Sequence, residues 1–142
     1  MFVDDAQFPF LEDLRCAWRD ICAECLALND DSFEPWVQRE MYGTGWSVYG
    51  LIAFGARIDE ALATCPRTAE ALQRVAGLTT AGFSRMVPGA HIRPHQGWVT
   101  TVYRGHLGLV VPCRRETGPC GWFGDPAVAG RQPVRLRRHG QS

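Results

Sequence analysis

From Pro9 to about Leu28 the apolar positions Phe10, Leu14, Ala17, Trp18, Ile21, Cys25 and Leu28 recur every three or four residues, with acids and arginines between them. That period places them on one stripe and predicts a single amphipathic helix over the whole stretch. Asn29-Asp30-Asp31-Ser32 breaks it. Trp46–Phe54 (WSVYGLIAF) then reads as a strand, rich in β-branched and aromatic residues and ended by Gly55. Ile58–Ala63 predicts a short helix, and Cys65-Pro66 punctuates the chain before a second one over Thr68–Val75. From Thr79 the period falls toward two. It predicts strands at about Thr79–Val87, Ala90–Arg93, Trp98–Tyr103 and His106–Val111, separated by Pro-Gly or Gly turns. Helices first and strands second imply an α+β domain whose sheet part curls on itself; the pattern alone does not separate a barrel from an open antiparallel sheet.

Length and composition narrow the picture without naming a function. The 142 residues carry no shift in composition, so a single domain over 1–142 with one core is expected. Apolar runs such as Leu107–Val111 are far too short to cross a bilayer, and Met1–Phe10 has Asp4 and Asp5 where a secretory signal would be basic. No membrane association and a cytoplasmic location are therefore expected. The six cysteines are few for a disulfide scaffold and are expected to stay reduced. Cys22-x-x-Cys25 fits half a metal knuckle or a redox pair, but its helical spacing from Leu14 and Trp18 favours a shared buried face. Formal charge is balanced, with most acids in the first 50 residues, arginines dominating the end and no lysine at all. Arg131, Arg135, Arg137 and Arg138 lack interleaved aromatics, which favours a solvated tail over a nucleic-acid contact.

The candidate chemistry lies in Phe83–Pro112, where Ser84, His91, His95, Arg104 and His106 punctuate a run of apolar and β-branched residues. Neutral imidazole binds first-row metals, and a nearby guanidinium can grip a carboxylate in a two-toothed fork. Pro94 restricts the backbone before His95 and Gly97 frees it afterwards, presenting the ring at a strand-turn boundary either as a metal ligand or as a hydrogen-bonded turn residue. Arg104 and His106 flank Gly105 and, in a strand, project from the same face. A buried Arg104 needs an anion, external or from an internal Asp or Glu, and no acid lies between Glu70 and Glu116. His91 stands four residues before His95, a helical zinc spacing, but Gly89 and Pro94 argue for an exposed strand or turn. A zinc-binding module through His91, His95, His106 and Cys113 stays open as an alternative.

These residues resemble the aspartyl/asparaginyl β-hydroxylase family of iron(II)- and 2-oxoglutarate-dependent oxygenases. The match is carried by Phe83-Ser84, Pro88-Gly89, Pro94-His95-Gln96-Gly97, Arg104-Gly105-His106-Leu107-Gly108-Leu109 and Pro112. Cys65-Pro66-Arg67-Thr68 upstream, with Trp46 and Gly55, extends it to roughly Trp36–Pro112. The resemblance implies a double-stranded β-helix, a cupin-like jelly roll with the N-terminal helices packed outside. It implies Fe(II) and 2-oxoglutarate as cofactors, and a two-histidine iron site with Gly97 where other such oxygenases place a carboxylate. His95 is then an iron ligand. Ser84, the Met86 backbone, Arg104 and His106 hold the keto acid, and Trp98 lies near the substrate. Beyond Pro112 the family's Asp-Asp pair, second iron histidine and distal arginine do not follow in pattern, and His139 is the only later histidine that can serve as second ligand. The resemblance therefore implies a β-helix incomplete at its C-terminal side and atypical over residues 114–142, through truncation or a shifted reading frame. The expected function is a dioxygenase that hydroxylates an Asp/Asn-like or related amino-acid side chain, free, carrier-bound or peptidyl, with lipid hydroxylation also within the family's range. The alternative is an inactive β-helix remnant that binds a small anion or a protein partner.

Overall fold

The computed structural model describes residues 7–93 and 102–111, and the backbone of 134–138. Among these residues four α-helices and six strands follow one another as α1 (Phe10–Cys16), α2 (Trp18–Ala27), β1 (Glu34–Pro35), β2 (Trp46–Ala53), β3 (Ala56–Arg57), α3 (Asp59–Thr64), α4 (Pro66–Gln73), β4 (Ala81–Met86), β5 (Tyr103–Leu107) and β6 (Val134–Arg138). β2 is the centre of a four-stranded antiparallel sheet, pairing with β1, β3 and β4. β5 pairs antiparallel with β6 in a separate two-stranded sheet, Arg104 opposite Arg137 and His106 opposite Arg135. The chain is thus α+β, as its pattern implies.

Alternation along the strands decides which side is core. Leu51 of β2 and Phe83 of β4 are buried, with Tyr49 against Phe83 in a stacked pair, and they meet Ile21, Ala61, Leu62, Cys65 and Ala71 from the helices. Side chains between them point the other way. The helices therefore cover one face of the β2–β4 sheet, and Ser84 and Met86 stand on the opposite face, beside Val48 and Trp46 in register. On the covered face, Arg85 lies 4.2 Å from the Phe33 ring centroid and bonds Asp30.

Four expectations are corrected. The single helix over Pro9–Leu28 is two, broken at Ala17 (φ −83°, ψ 0°). In one straight helix Leu11 and Ile21, ten residues apart, would point about 80° away from each other; the break lets Leu11 seat among Phe8 and Phe10 while Ile21 enters the main core. The helix expected at Thr68–Val75 starts at Pro66, whose fixed φ and missing N–H suit the first helical turn. Ala90–Arg93 forms no strand. Gly89 turns at φ +82°, and only Ile92 bridges to Tyr42, with the Arg93 N–H donating to the Met41 carbonyl. Finally, the strand expected at His106–Val111 is displaced toward the N-terminus, because Gly105 continues β5 rather than turning. Residues 108–109 leave the sheet for α2: Trp18 Nε1 donates to the Gly108 carbonyl at 2.8 Å, and Cys22 Sγ lies 3.7 Å from the Leu109 carbonyl. Most of the strand expected at Trp98–Tyr103 lies outside the described residues.

Candidate functional site

Ser84 and Met86 owe their position to the register of β4 on β2. The Val87 N–H donates to the Gly45 carbonyl, which makes 45/87 a hydrogen-bonded pair and 46/86 and 48/84 the wide pairs that alternate with it. The N–H and C=O groups of Ser84 and Met86 thus point away from β2, toward an edge that pairs with no other described strand. The Ser84 hydroxyl oxygen accepts from Trp46 Nε1 at 2.9 Å. Met86 is 46% exposed. The strand therefore presents a hydroxyl on the face away from the helices and backbone amides at an edge that is unpaired among the described strands.

Arg104 and His106 owe theirs to Leu107. That side chain packs on both apolar clusters, so Tyr103, Gly105 and Leu107 face the helices, with Tyr103 edge-on to Phe8 at 5.2 Å. By alternation Arg104 and His106 face away from them. Arg104 is exposed by area, yet enough protein surrounds its guanidinium that desolvation lowers its affinity for the proton. Among the described residues it has no ion pair, unlike Arg15, Arg57, Arg67, Arg74 and Arg85. A partly desolvated cation with no acid partner among the described residues suits an external anion. His106 is exposed and engaged in a contact of its own.

The expected metal ligands His95 and His139 lie outside the described residues, as do Trp98 and Cys113. Among the described residues no three His, Cys, Asp or Glu side chains cluster as a metal would need. His91 is exposed and non-helical, as its flanking Gly and Pro imply. Cys22 and Cys25 are half-buried on α2, and burial raises both thiols above their ordinary value, which suits packing rather than thiolate chemistry. A shallow pocket of about 390 Å³ between Ile52, Leu62, Leu72 and Val75 contains none of the candidate residues.

Two features escape sequence reasoning. One is the Trp46–Ser84 bond, legible only once the register of β2 on β4 is known. The other is the role of Cys65-Pro66-Arg67-Thr68. Glu24 of α2 accepts from the Arg67 N–H (2.7 Å), the Thr68 N–H (2.8 Å) and the Thr68 hydroxyl (2.6 Å), capping α4 from outside. Asp20 adds two bonds from the Arg67 guanidinium. The acids Asp20 and Glu24 at i, i+4 on one helix were the available signal.

The sequence pattern of the aspartyl/asparaginyl β-hydroxylases matches residues 15–125, both Ser84 and the Arg104–His106 pair within it. The chain belongs to this family. It is 44% identical over 69 residues, 49% of its own length, to the ornithine lipid ester-linked acyl 2-hydroxylase of Rhizobium tropici, and that match spans 25% of the relative. It is 31% identical over 122 residues, 75% of its length, to the human aspartyl/asparaginyl β-hydroxylase, spanning 16% of that protein. The family is one of hydroxylases. Among the described residues no helix is long and apolar enough to cross a membrane.

Proposed function

We propose that this chain is an iron(II)- and 2-oxoglutarate-dependent hydroxylase on a jelly-roll scaffold. The observation that carries the reading is Arg104: a partly desolvated guanidinium, unpaired among the described residues and displayed on the strand face away from the helical core. It would fork one carboxylate of the keto acid, with His106 beside it and the Ser84 hydroxyl and outward Met86 N–H adding donors. His95 and His139 would hold the iron. When bound, iron and the keto acid supply the activation of dioxygen, the acid leaving as succinate and carbon dioxide. The chain's own part is to orient the acid, exclude water through the apolar side chains around Trp46 and keep its cationic donors charged. The names of the two relatives support two substrate classes, an acidic or amide amino-acid side chain and a lipid acyl chain.

The test is succinate formation by purified protein given Fe(II), 2-oxoglutarate and dioxygen, first with an Asp-containing peptide and then with an acylated amino-acid lipid. Turnover that disappears in His95→Ala, together with about a hundredfold weaker keto-acid binding in Arg104→Met, is expected. A protein that neither binds iron nor forms succinate is instead the inactive remnant that binds a small anion or a protein partner.

A further inference from the structure

Helix α2 turns two faces to the rest of the chain. Asp20 and Glu24 hold the start of α4, while Trp18 and Cys22, also four positions apart, reach the residues that follow β5. Trp18 Nε1 donates to the Gly108 carbonyl at 2.8 Å, and Cys22 Sγ lies 3.7 Å from the carbonyl of Leu109. Successive carbonyls of an extended strand point to opposite sides, so two in a row that meet one helix require the chain to bend between them. β5 does end at Leu107, and the chain bends at Leu109. Glycine at 108 permits this fold-back, since a Cβ there would lie 2.9 Å from Val111 Cγ2.

The pinned carbonyl follows Arg104 and His106 closely on the same strand. β5 is 5 residues long, carries Gly105 at its centre and, among the described strands, pairs only with β6; a two-stranded ribbon of that size does not hold its own place. The apolar contacts of Tyr103 and Leu107 choose the face turned to the helices, but such contacts are non-directional and permit sliding. A hydrogen bond to one particular carbonyl does not slide. A slip of one position would exchange Arg104 and His106 for Gly105 and Leu107. Resting on the function proposed above, we propose that Trp18 is a positioning residue for the cosubstrate: by holding the Gly108 carbonyl it fixes where along β5 the Arg104 and His106 side chains stand, and so where a carboxylate is met.

Trp18→Phe keeps an aromatic ring on α2 while deleting the donor. Calorimetric affinity for 2-oxoglutarate, with Fe(II) under anaerobic conditions, is expected to fall about five-fold. Gly108→Ala, which crowds Val111 and displaces the accepting carbonyl, is expected to shift it in the same direction. In an Arg104→Met background Trp18→Phe is expected to cost less than about two-fold, because the indole acts through the strand that carries the guanidinium. In turnover, KM for 2-oxoglutarate is expected to rise with kcat unchanged, whereas a variant that only lowers the folded fraction loses kcat and keeps KM. Glu24→Ala, which removes the α4 contact from the same helix, supplies that comparison and is expected to retain wild-type affinity. Wild-type affinity in both Trp18→Phe and Gly108→Ala overturns the inference. So does a loss in Glu24→Ala equal to that in Trp18→Phe, which would mark a general loosening of α2, or an undiminished loss in the Arg104→Met background. Wild-type protein that binds no 2-oxoglutarate sinks the proposed function, and this inference with it, at the first measurement.

Discussion

Cys65 has none of its surface in water and sits where α3 ends and α4 begins. Burial, with the charge of Glu24 and the neighbouring Cys25 adding to it, pushes its thiol from 9.0 up to about 11. The folded state therefore holds this proton more tightly than the unfolded chain does. Its contribution to stability is complete below about pH 9 and is lost as the pH climbs toward about 11. Thermal unfolding followed across that window should show Tm falling more steeply in wild type than in Cys65→Ala. Equal slopes would place the alkaline sensitivity elsewhere. The same burial keeps this sulfur from reacting with thiol reagents in the native protein, whereas the exposed Cys16 should be modified at once. Helical spacing placed Cys22 and Cys25 on a buried face but did not mark Cys65 as more buried than either, because burial depends on partners that lie far along the chain.

Elements were legible where local pattern is sufficient. β2, α3 and β4 fall within a residue or two of their expected places, because an alternating or helical run bounded by Gly and Asn-Asp needs no distant partner to be recognised. The break at Ala17 and the departure of residues 108–109 from β5 answer instead to tertiary contacts, the indole of Trp18 reaching ninety positions along to the Gly108 carbonyl. The docking of α4 is of the same kind. Glu24→Ala would leave the Arg67 and Thr68 N–H groups and the Thr68 hydroxyl without their acceptor, and should lower unfolding free energy by about 2 kcal/mol, read as a drop in urea midpoint. Glu24→Gln keeps one carbonyl acceptor and should recover part of that loss. No effect from either variant would mean that solvent caps the helix equally well.

Over the whole molecule, the Arg104–His106 part of the candidate site is tied to both apolar clusters through Leu107. Leu107 touches both apolar clusters and thereby sets the face on which Arg104 and His106 stand. Leu107→Ala is expected to cost about 2 kcal/mol of stability and, unlike a truncation on a helix such as Ala71→Gly, to weaken keto-acid binding as well. Stability lost with binding unchanged would show that β5 is oriented by its pairing with β6 alone. The strand placement of Ser84, Arg104 and His106 was readable in advance because they lie in short local motifs; His95 and His139, the proposed iron ligands, lie outside the described residues. What pattern could not supply was the pairing register, since a one-residue slip of β4 on β2 would turn Ser84 into the helices and Phe83 outward.

The external cap on α4 also bears on the order of assembly. The helix is 8 residues long and has no side-chain cap of its own, too short to persist alone in water. Its first turn is completed only when a carboxylate from more than forty positions earlier arrives, so α4 must wait for a long loop to close. Refolding should thus consolidate α2 and α4 in one concerted step, making the junction between them part of the kinetic bottleneck instead of a late adornment.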